Sequence, residues 1–305
     1  MRDLAINARL RKALAERNVL IMAHRGCAGS NIVDNTVESF EAAVRQGADI
    51  VEADICATLD GDLFCLHDGM EPVVLGQEES IVNMRTADVR KLRYLTRNHC
   101  RIDHPINTFD EILDSLKGRC LINLDRCWVC WEKVLPVIQA HGMEDQIILK
   151  SPPERRYFEF LAAQDTPFMY MPVCSEPEEF ELAESYDLNL VAVEVIGYRE
   201  DIPAMEPAWL EGLKRKGYAR MISSLTLGNP VLEPEKLIQK WGQEQAKRIH
   251  NRNIYLSGGH DDDVSVLGDP DNGWGWLVER GFNILQTDWT PVMSQYLQER
   301  GYNKK

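Results

Sequence analysis

IMAHRGCAGSNIVDNTVESFEAAVRQGADIVEADICATLDGDLFCLHD, from Ile21 to Asp68, is the stretch on which the fold turns. His24 and His67 close its ends, and the acidic pair Glu52 and Asp54 sits between them on an apolar run. Val19 to Ala23 is short, apolar and ungapped, which predicts a buried strand delivering His24 and Arg25 at its end. A polar loop containing Gly26 and Gly29 follows. Asn35 with Glu38 has capping-box spacing, so a helix is expected to start there. Val37, Phe40, Ala43 and Val44 form its buried stripe, and Gly47 ends it.

A second strand, Asp49 to Ile55, is expected to lie parallel to the first, completing a βαβ unit. Side chains alternate along a strand, so Glu52 and Asp54 share one face while Val51, Ala53 and Ile55 share the other. Two carboxylates on one face of a buried strand repel and lose hydration, at a cost of several kcal/mol each unless compensated. One divalent cation, Mg²⁺ or Ca²⁺, is the hard oxygen-seeking partner that meets this need. Asp60-Gly61 marks a tight turn, and Leu63 to Leu66 returns as a short strand ending in His67-Asp68.

The motifs His24-Arg25-Gly26, Asp34-Asn35-Thr36 with Ser39-Phe40, Gly47-Ala48-Asp49-x-Val51-Glu52-x-Asp54, Thr58-x-Asp60-Gly61 and His67-Asp68 together resemble the glycerophosphodiester phosphodiesterases. They fall in that family's order and at similar spacing. The resemblance implies a metal-bearing (β/α)₈ TIM barrel that hydrolyses phosphodiesters with two histidines. It implies that His24 and His67 are the acid/base pair, that Arg25 holds a phosphate oxygen, and that Glu52, Asp54 and Asp125 bind the metal. The family carries a glutamate at the place of Asp125 and a lysine two positions on, where this chain has Cys127. Lys150, ending the following strand, is the candidate to replace that phosphate-facing charge; the alternative is an ordinary strand-end lysine.

The chain has 305 residues, enough for one barrel of about 250 residues with additions. We expect a single domain over residues 1–305, with a small insertion at about 69–105 after the second strand and a long connection before the last strand. Apolar content of 44% and charged content of 27% are those of an ordinary globular protein. A net charge of −14 argues against a nucleic-acid surface and gives an anionic substrate no long-range steering. No window approaches the roughly 18 apolar residues of a membrane span. The first eighteen residues read as an amphipathic helix, not a signal peptide, and eight cysteines without framework spacing suit a cytoplasmic location. Cys127-x-x-Cys130 lacks the second half of a zinc or redox site.

Along the rest of the chain, Thr86 to Leu95 reads as helix, and Thr108 with Glu111 caps the helix that follows. Further strands are expected at 120–125, 146–149, 168–173, 190–196, 221–225 and 283–287, with a helix at 234–250. Glu194 is expected to line the pocket or to pair with an internal arginine. His260, in Ser-Gly-Gly-His-Asp-Asp-Asp, is a lesser metal candidate, the favoured reading there being a turn or helix cap at Asp261 to Asp263. Asp288 resembles the family's closing Thr-Asp and is expected to hold the barrel or cap the last helix. The activity so implied is hydrolysis of a glycerophosphodiester to glycerol phosphate and an alcohol, with a small-molecule diester as partner. The rival readings are a phospholipase D-like enzyme acting on lysophospholipid or sphingomyelin-type head groups, and a non-catalytic barrel.

Overall fold

The computed structural model describes residues 1–226 and 256–303. Its nine strands are β1 (Leu20–His24), β2 (Ile50–Ala57), β3 (Leu63–Cys65), β4 (Leu121–Asp125), β5 (Ile147–Ser151), β6 (Met169–Cys174), β7 (Ala192–Val195), β8 (Ala219–Ser223) and β9 (Ile284–Thr287). All but β3 are parallel and run in the order β1-β2-β4-β5-β6-β7-β8-β9, and the β1–β9 pairing closes the ring. This is the expected (β/α)₈ barrel. β3 pairs antiparallel with the end of β2 and stands outside the ring.

Alternation sorts the side chains into an inner and an outer layer. Leu20, Met22, Ile50, Leu121, Ile148, Met169, Met171, Met221 and Ile284 pack together inside the lower barrel. Their neighbours Ile21, Ala23, Val51, Ala53, Ile122, Leu124 and Leu149 pack outward against the helices. The N-terminal helix Ala8–Glu16 buries Leu10 completely against the inner layer. At the other end of the chain, Asn303 accepts from the Val19 backbone N–H at 3.1 Å and donates to the Val19 carbonyl at 2.8 Å.

Three local expectations need correction. The helix that follows β1, Val37–Arg45, is capped one residue later than predicted: Thr36 and Ser39 form the box. Asn35 takes a left-handed backbone conformation instead, with φ 60°. The helix expected from Thr86 to Leu95 stops at Val89, because Tyr94 pairs its backbone with Ile102 and His104 and so becomes extended. The strand expected at 221–225 lies at Ala219–Ser223. The Thr108/Glu111 box forms as predicted. Residues 69–105 cover a satellite core of Val33, Phe64, Leu66, Ile81, Val89 and Tyr94. The helix expected at 234–250 lies outside the described residues.

Candidate active site

The strand ends bring most of the predicted residues to one rim. β1 ends on His24, which pairs with Glu52 across the β1–β2 ladder, and Asp54 pairs with Asp125 across β2–β4. The inner face that is apolar lower down becomes acidic here: Glu52 and Asp54 are each 1% exposed. One carboxylate oxygen from each of Glu52, Asp54 and Asp125 lies within 4.8 Å of the others. His260 is not part of this cluster: its Nδ1 is 2.5 Å from the Asn272 carbonyl and its ring stacks on Trp276. Asp261 caps the helix Asp262–Leu267 by accepting from Val264, as expected.

The loop after β1 folds tightly over this cluster. Arg25 has φ 54°, and its backbone N–H donates to Glu52 Oε2 at 3.0 Å while its Nε stands 3.0 Å from Asp54 Oδ2. Gly26 follows at φ 83°, where a β-carbon would meet the Ser39 backbone at 2.6 Å. Only glycine fits such an approach. Asn35 grips Asp54 twice, donating from Nδ2 to Oδ2 at 2.9 Å and accepting from the Asp54 backbone N–H at 3.1 Å. Sequence spacing had suggested a helix cap for Asn35; its left-handed turn turns it into a clamp for the carboxylate.

Lys150 is 3% exposed and lies 2.8 Å from Asp125 Oδ2 and 3.1 Å from Glu194 Oε2. Glu194 therefore pairs with a lysine, not with an internal arginine. Burial pushes the Glu194 carboxyl above its usual range even beside Lys150. Burial alone would also raise Asp125, but Lys150 and the Arg126 backbone N–H hold it below the usual carboxylate value. Glu52 is pushed up to about 8, first by burial and then by the charge of Asp54. Four buried or half-buried carboxylates thus face three permanent cations, Arg25, Lys150 and Arg126. Asp54 Oδ1 is buried with no hydrogen-bond partner. An excess of negative charge and an orphaned carboxylate oxygen fit a hard divalent cation on Glu52, Asp54 and Asp125.

The two histidines differ in their surroundings. His24 donates from Nδ1 to Asp288 Oδ1 at 2.8 Å, so Nε2 is the nitrogen left for other partners. Burial works to lower its pKa, but the Asp288 hydrogen bond and the charges of Glu52 and Asp288 together raise it above the ordinary imidazole value. His67 donates from Nδ1 to the Asp68 carbonyl at 2.8 Å, which leaves Nε2 an unprotonated acceptor. Burial, with Arg25 and Arg126 nearby, lowers its pKa. Asp288 ties the barrel across the β1–β9 closure through its bond to His24, and it is not the cap of the final helix, where Trp289 occupies the cap position. Asp262 holds that turn by accepting from the Asp288 N–H and the Thr287 hydroxyl, each at 2.9 Å. The position of Asp288 just beyond a barrel strand was the available sign of a site residue.

Fold and rim together define a (β/α)₈ barrel with a largely buried three-carboxylate cluster flanked by two differently held histidines. Residues 24–165 match the glycerophosphoryl diester phosphodiesterase family model. Residues 252–297 match a domain of unknown function. A glycerophosphodiester phosphodiesterase of Caldanaerobacter subterraneus is 33% identical over 140 residues, 43% of this chain and 57% of that protein. The chain thus spans little more than half the length of this curated relative. A glycerophosphoryl diester phosphodiesterase from Parabacteroides distasonis superposes with a TM-score of 0.69 at 16% identity, over 93% of this chain and 88% of that one. An Oleispira antarctica phosphodiesterase in complex with its product sn-glycerol-3-phosphate gives 0.60 at 16% identity, over 92% and 96%. Similarity at that identity speaks for the shared barrel.

Proposed function

We propose that the protein hydrolyses a glycerophosphodiester to glycerol phosphate and an alcohol, with His24 and His67 as the acid/base pair. The observation that carries this reading is the contrast between the two imidazoles across one carboxylate cluster. A proton acceptor and a proton donor with pKa values displaced in opposite directions suit a reaction that needs both at once. Glu52, Asp54 and Asp125 would hold one divalent cation, Mg²⁺ or Ca²⁺, which when bound withdraws charge from the phosphoryl oxygens.

In this scheme His67 Nε2 removes the proton from the attacking hydroxyl, either of water or of the substrate's own glycerol, the latter giving a cyclic phosphate that water then opens to glycerol phosphate. The new phosphorus–oxygen bond forms as the bond to the leaving alcohol breaks. His24 Nε2 gives its proton to that leaving oxygen, and Asp288 stabilises the imidazolium beforehand. Arg25 braces Glu52 and Asp54. The names of the relatives support the substrate class, and the product bound to the Oleispira enzyme is what this reaction would release.

No helix among the described residues is long and apolar enough to cross a membrane. Eight free cysteines, most of them buried, suit a reducing compartment and favour our cytoplasmic assignment. The test is turnover of a panel of glycerophosphodiesters and lysophospholipids, with and without EDTA, both products being identified. Glycerol phosphate released in an EDTA-sensitive manner is expected. Turnover confined to lysophospholipid or sphingomyelin-type substrates selects the phospholipase D-like alternative, and no turnover selects a non-catalytic barrel.

A further inference from the structure

Granting the phosphodiesterase reading, a question of charge remains open at the rim. A phosphodiester is an anion, and the two cations expected to meet it, Arg25 from the resemblance and Lys150 as a replacement for the family's lysine, are committed elsewhere. Arg25 Nε stands 3.0 Å from Asp54, and Lys150 is enclosed between Asp125 and Glu194 with 3% of its side chain exposed. A lysine neutralised by one buried and one partly buried carboxylate has little field left for a ligand.

Arg126 is placed differently. It follows the cluster residue Asp125 directly and adopts φ 61°, a left-handed conformation that a residue with a β-carbon rarely takes. Such strain persists where the surroundings impose it, and it concentrates at functional sites. Here the turn does two things. It aims the Arg126 backbone N–H at Asp125 Oδ1, at 2.6 Å, and it breaks the strand alternation. Continued alternation would have returned residue 127 to the rim face, but Cys127 is instead fully buried in the outer core.

The Arg126 side chain lies on the His67 side of the rim, where its charge helps to lower the pKa of that histidine. Its nearest anion is Asp68, with Nε 3.5 Å from Oδ1, and Nε makes no hydrogen bond although it is buried. The side chain as a whole is 38% exposed and Asp68 is 46% exposed, so the pair is open to solvent. One carboxylate oxygen at that distance leaves most of the planar five-donor fork available, and this fork matches the spacing of phosphate oxygens.

We propose that Arg126 is the phosphate-binding cation of this site, gripping the non-bridging oxygens of the diester beside His67. The left-handed turn thereby moves the positive charge one position along the chain from where the family resemblance looks for it. The test uses Arg126→Met and Arg126→Lys in the full chain. Steady-state kinetics on a glycerophosphodiester, inhibition by sn-glycerol 3-phosphate and thermal shifts with that ligand and with the divalent cation alone are compared.

The expected result for Arg126→Met is a rise of about 10- to 100-fold in KM and in the inhibition constant for glycerol phosphate. Arg126→Lys should recover part of this, and the melting temperature and cation-induced shift should stay as in the wild type. Kinetic and inhibition constants of Arg126→Met within about twofold of wild type overturn the assignment while leaving the phosphodiesterase reading intact. Loss of the cation-induced shift also overturns it, because Arg126 would then act only by shaping Asp125. If the wild type turns over no diester, the functional reading fails separately. The glycerol phosphate thermal shift then decides Arg126: a shift lost in Arg126→Met upholds it as an anion site, and no shift in the wild type overturns it.

Discussion

His24 and Asp288, 264 positions apart in the chain, meet through a single hydrogen bond of 2.8 Å between Nδ1 and Oδ1. That bond fixes the imidazole tautomer, turns Nε2 toward the rim and raises the His24 pKa against the effect of burial. Asp288→Asn keeps the shape and removes the charge. A hydrogen bond to a charged group contributes about 1.5–3 kcal/mol, so kcat/KM should fall about 10- to 100-fold.

The pH profile gives a second reading of the same pair. His24 has to be protonated to act as acid, and its pKa is raised, so activity should be lost as pH rises through a value above about 6.5. His67 has to be neutral to act as base, and its pKa is lowered, so activity should be lost as pH falls through a value below about 6.5. The expected curve is a bell with its plateau spanning that pH. In Asp288→Asn the alkaline limb should move to lower pH and the acid limb should stay. An alkaline limb that does not move would detach Asp288 from the acid.

Leaving-group chemistry separates the histidines. His24→Ala and His67→Ala should each reduce kcat by at least about 10²-fold on an ordinary diester. A nitrophenyl diester needs no proton on its departing oxygen, so it should largely restore His24→Ala and leave His67→Ala impaired. The opposite pattern reverses the two roles, and equal rescue of both removes the division of labour.

For the carboxylate cluster the measurement is thermal denaturation with added Mg²⁺ or Ca²⁺. A cation at about 100 times its dissociation constant should stabilise the fold by about 2.7 kcal/mol. Asp54→Asn should abolish the shift, since this residue carries the orphaned oxygen Oδ1. The same shift in Asp54→Asn and wild type would place the cation elsewhere.

Lys150→Met tests whether that lysine serves the ligand or the fold. Removing it strands Asp125 and Glu194, so we expect a loss of about 3–5 kcal/mol in urea unfolding. Adding Glu194→Gln should return part of that loss. Unchanged stability with a 10- to 100-fold fall in kcat/KM would instead put Lys150 on the phosphate.

How legible all this was depends on the range of the interactions. The strand from Asp49 and the shared face of Glu52 and Asp54 follow from a two-residue period and a run of apolar neighbours, both local properties, and Asp125 falls on the same inner face. Asn35 misled because the same residue type favours helix caps and left-handed turns, and only the packed Asp54 carboxylate decides between them. Asp288 was visible as a strand-end acid, but its partner lies on the first strand, and no spacing rule reaches that far. Arg126 depended on one backbone dihedral, which the neighbouring cysteines and Trp128 do not announce.

The junction between β1 and β9, with Asn303 clasping both backbone groups of Val19, has a kinetic consequence. Contacts between the two ends of a chain are the costliest in loop entropy and belong to slow folding steps. His24 lies on β1, and Asp288 follows β9 directly. During synthesis from the N-terminus, the carboxylate cluster can gather once the strands through β5 have emerged, whereas the proton donor acquires its partner only when the ring closes. Recovery of turnover after dilution from denaturant should therefore lag behind recovery of helical signal, and the lag would time the closing of the barrel.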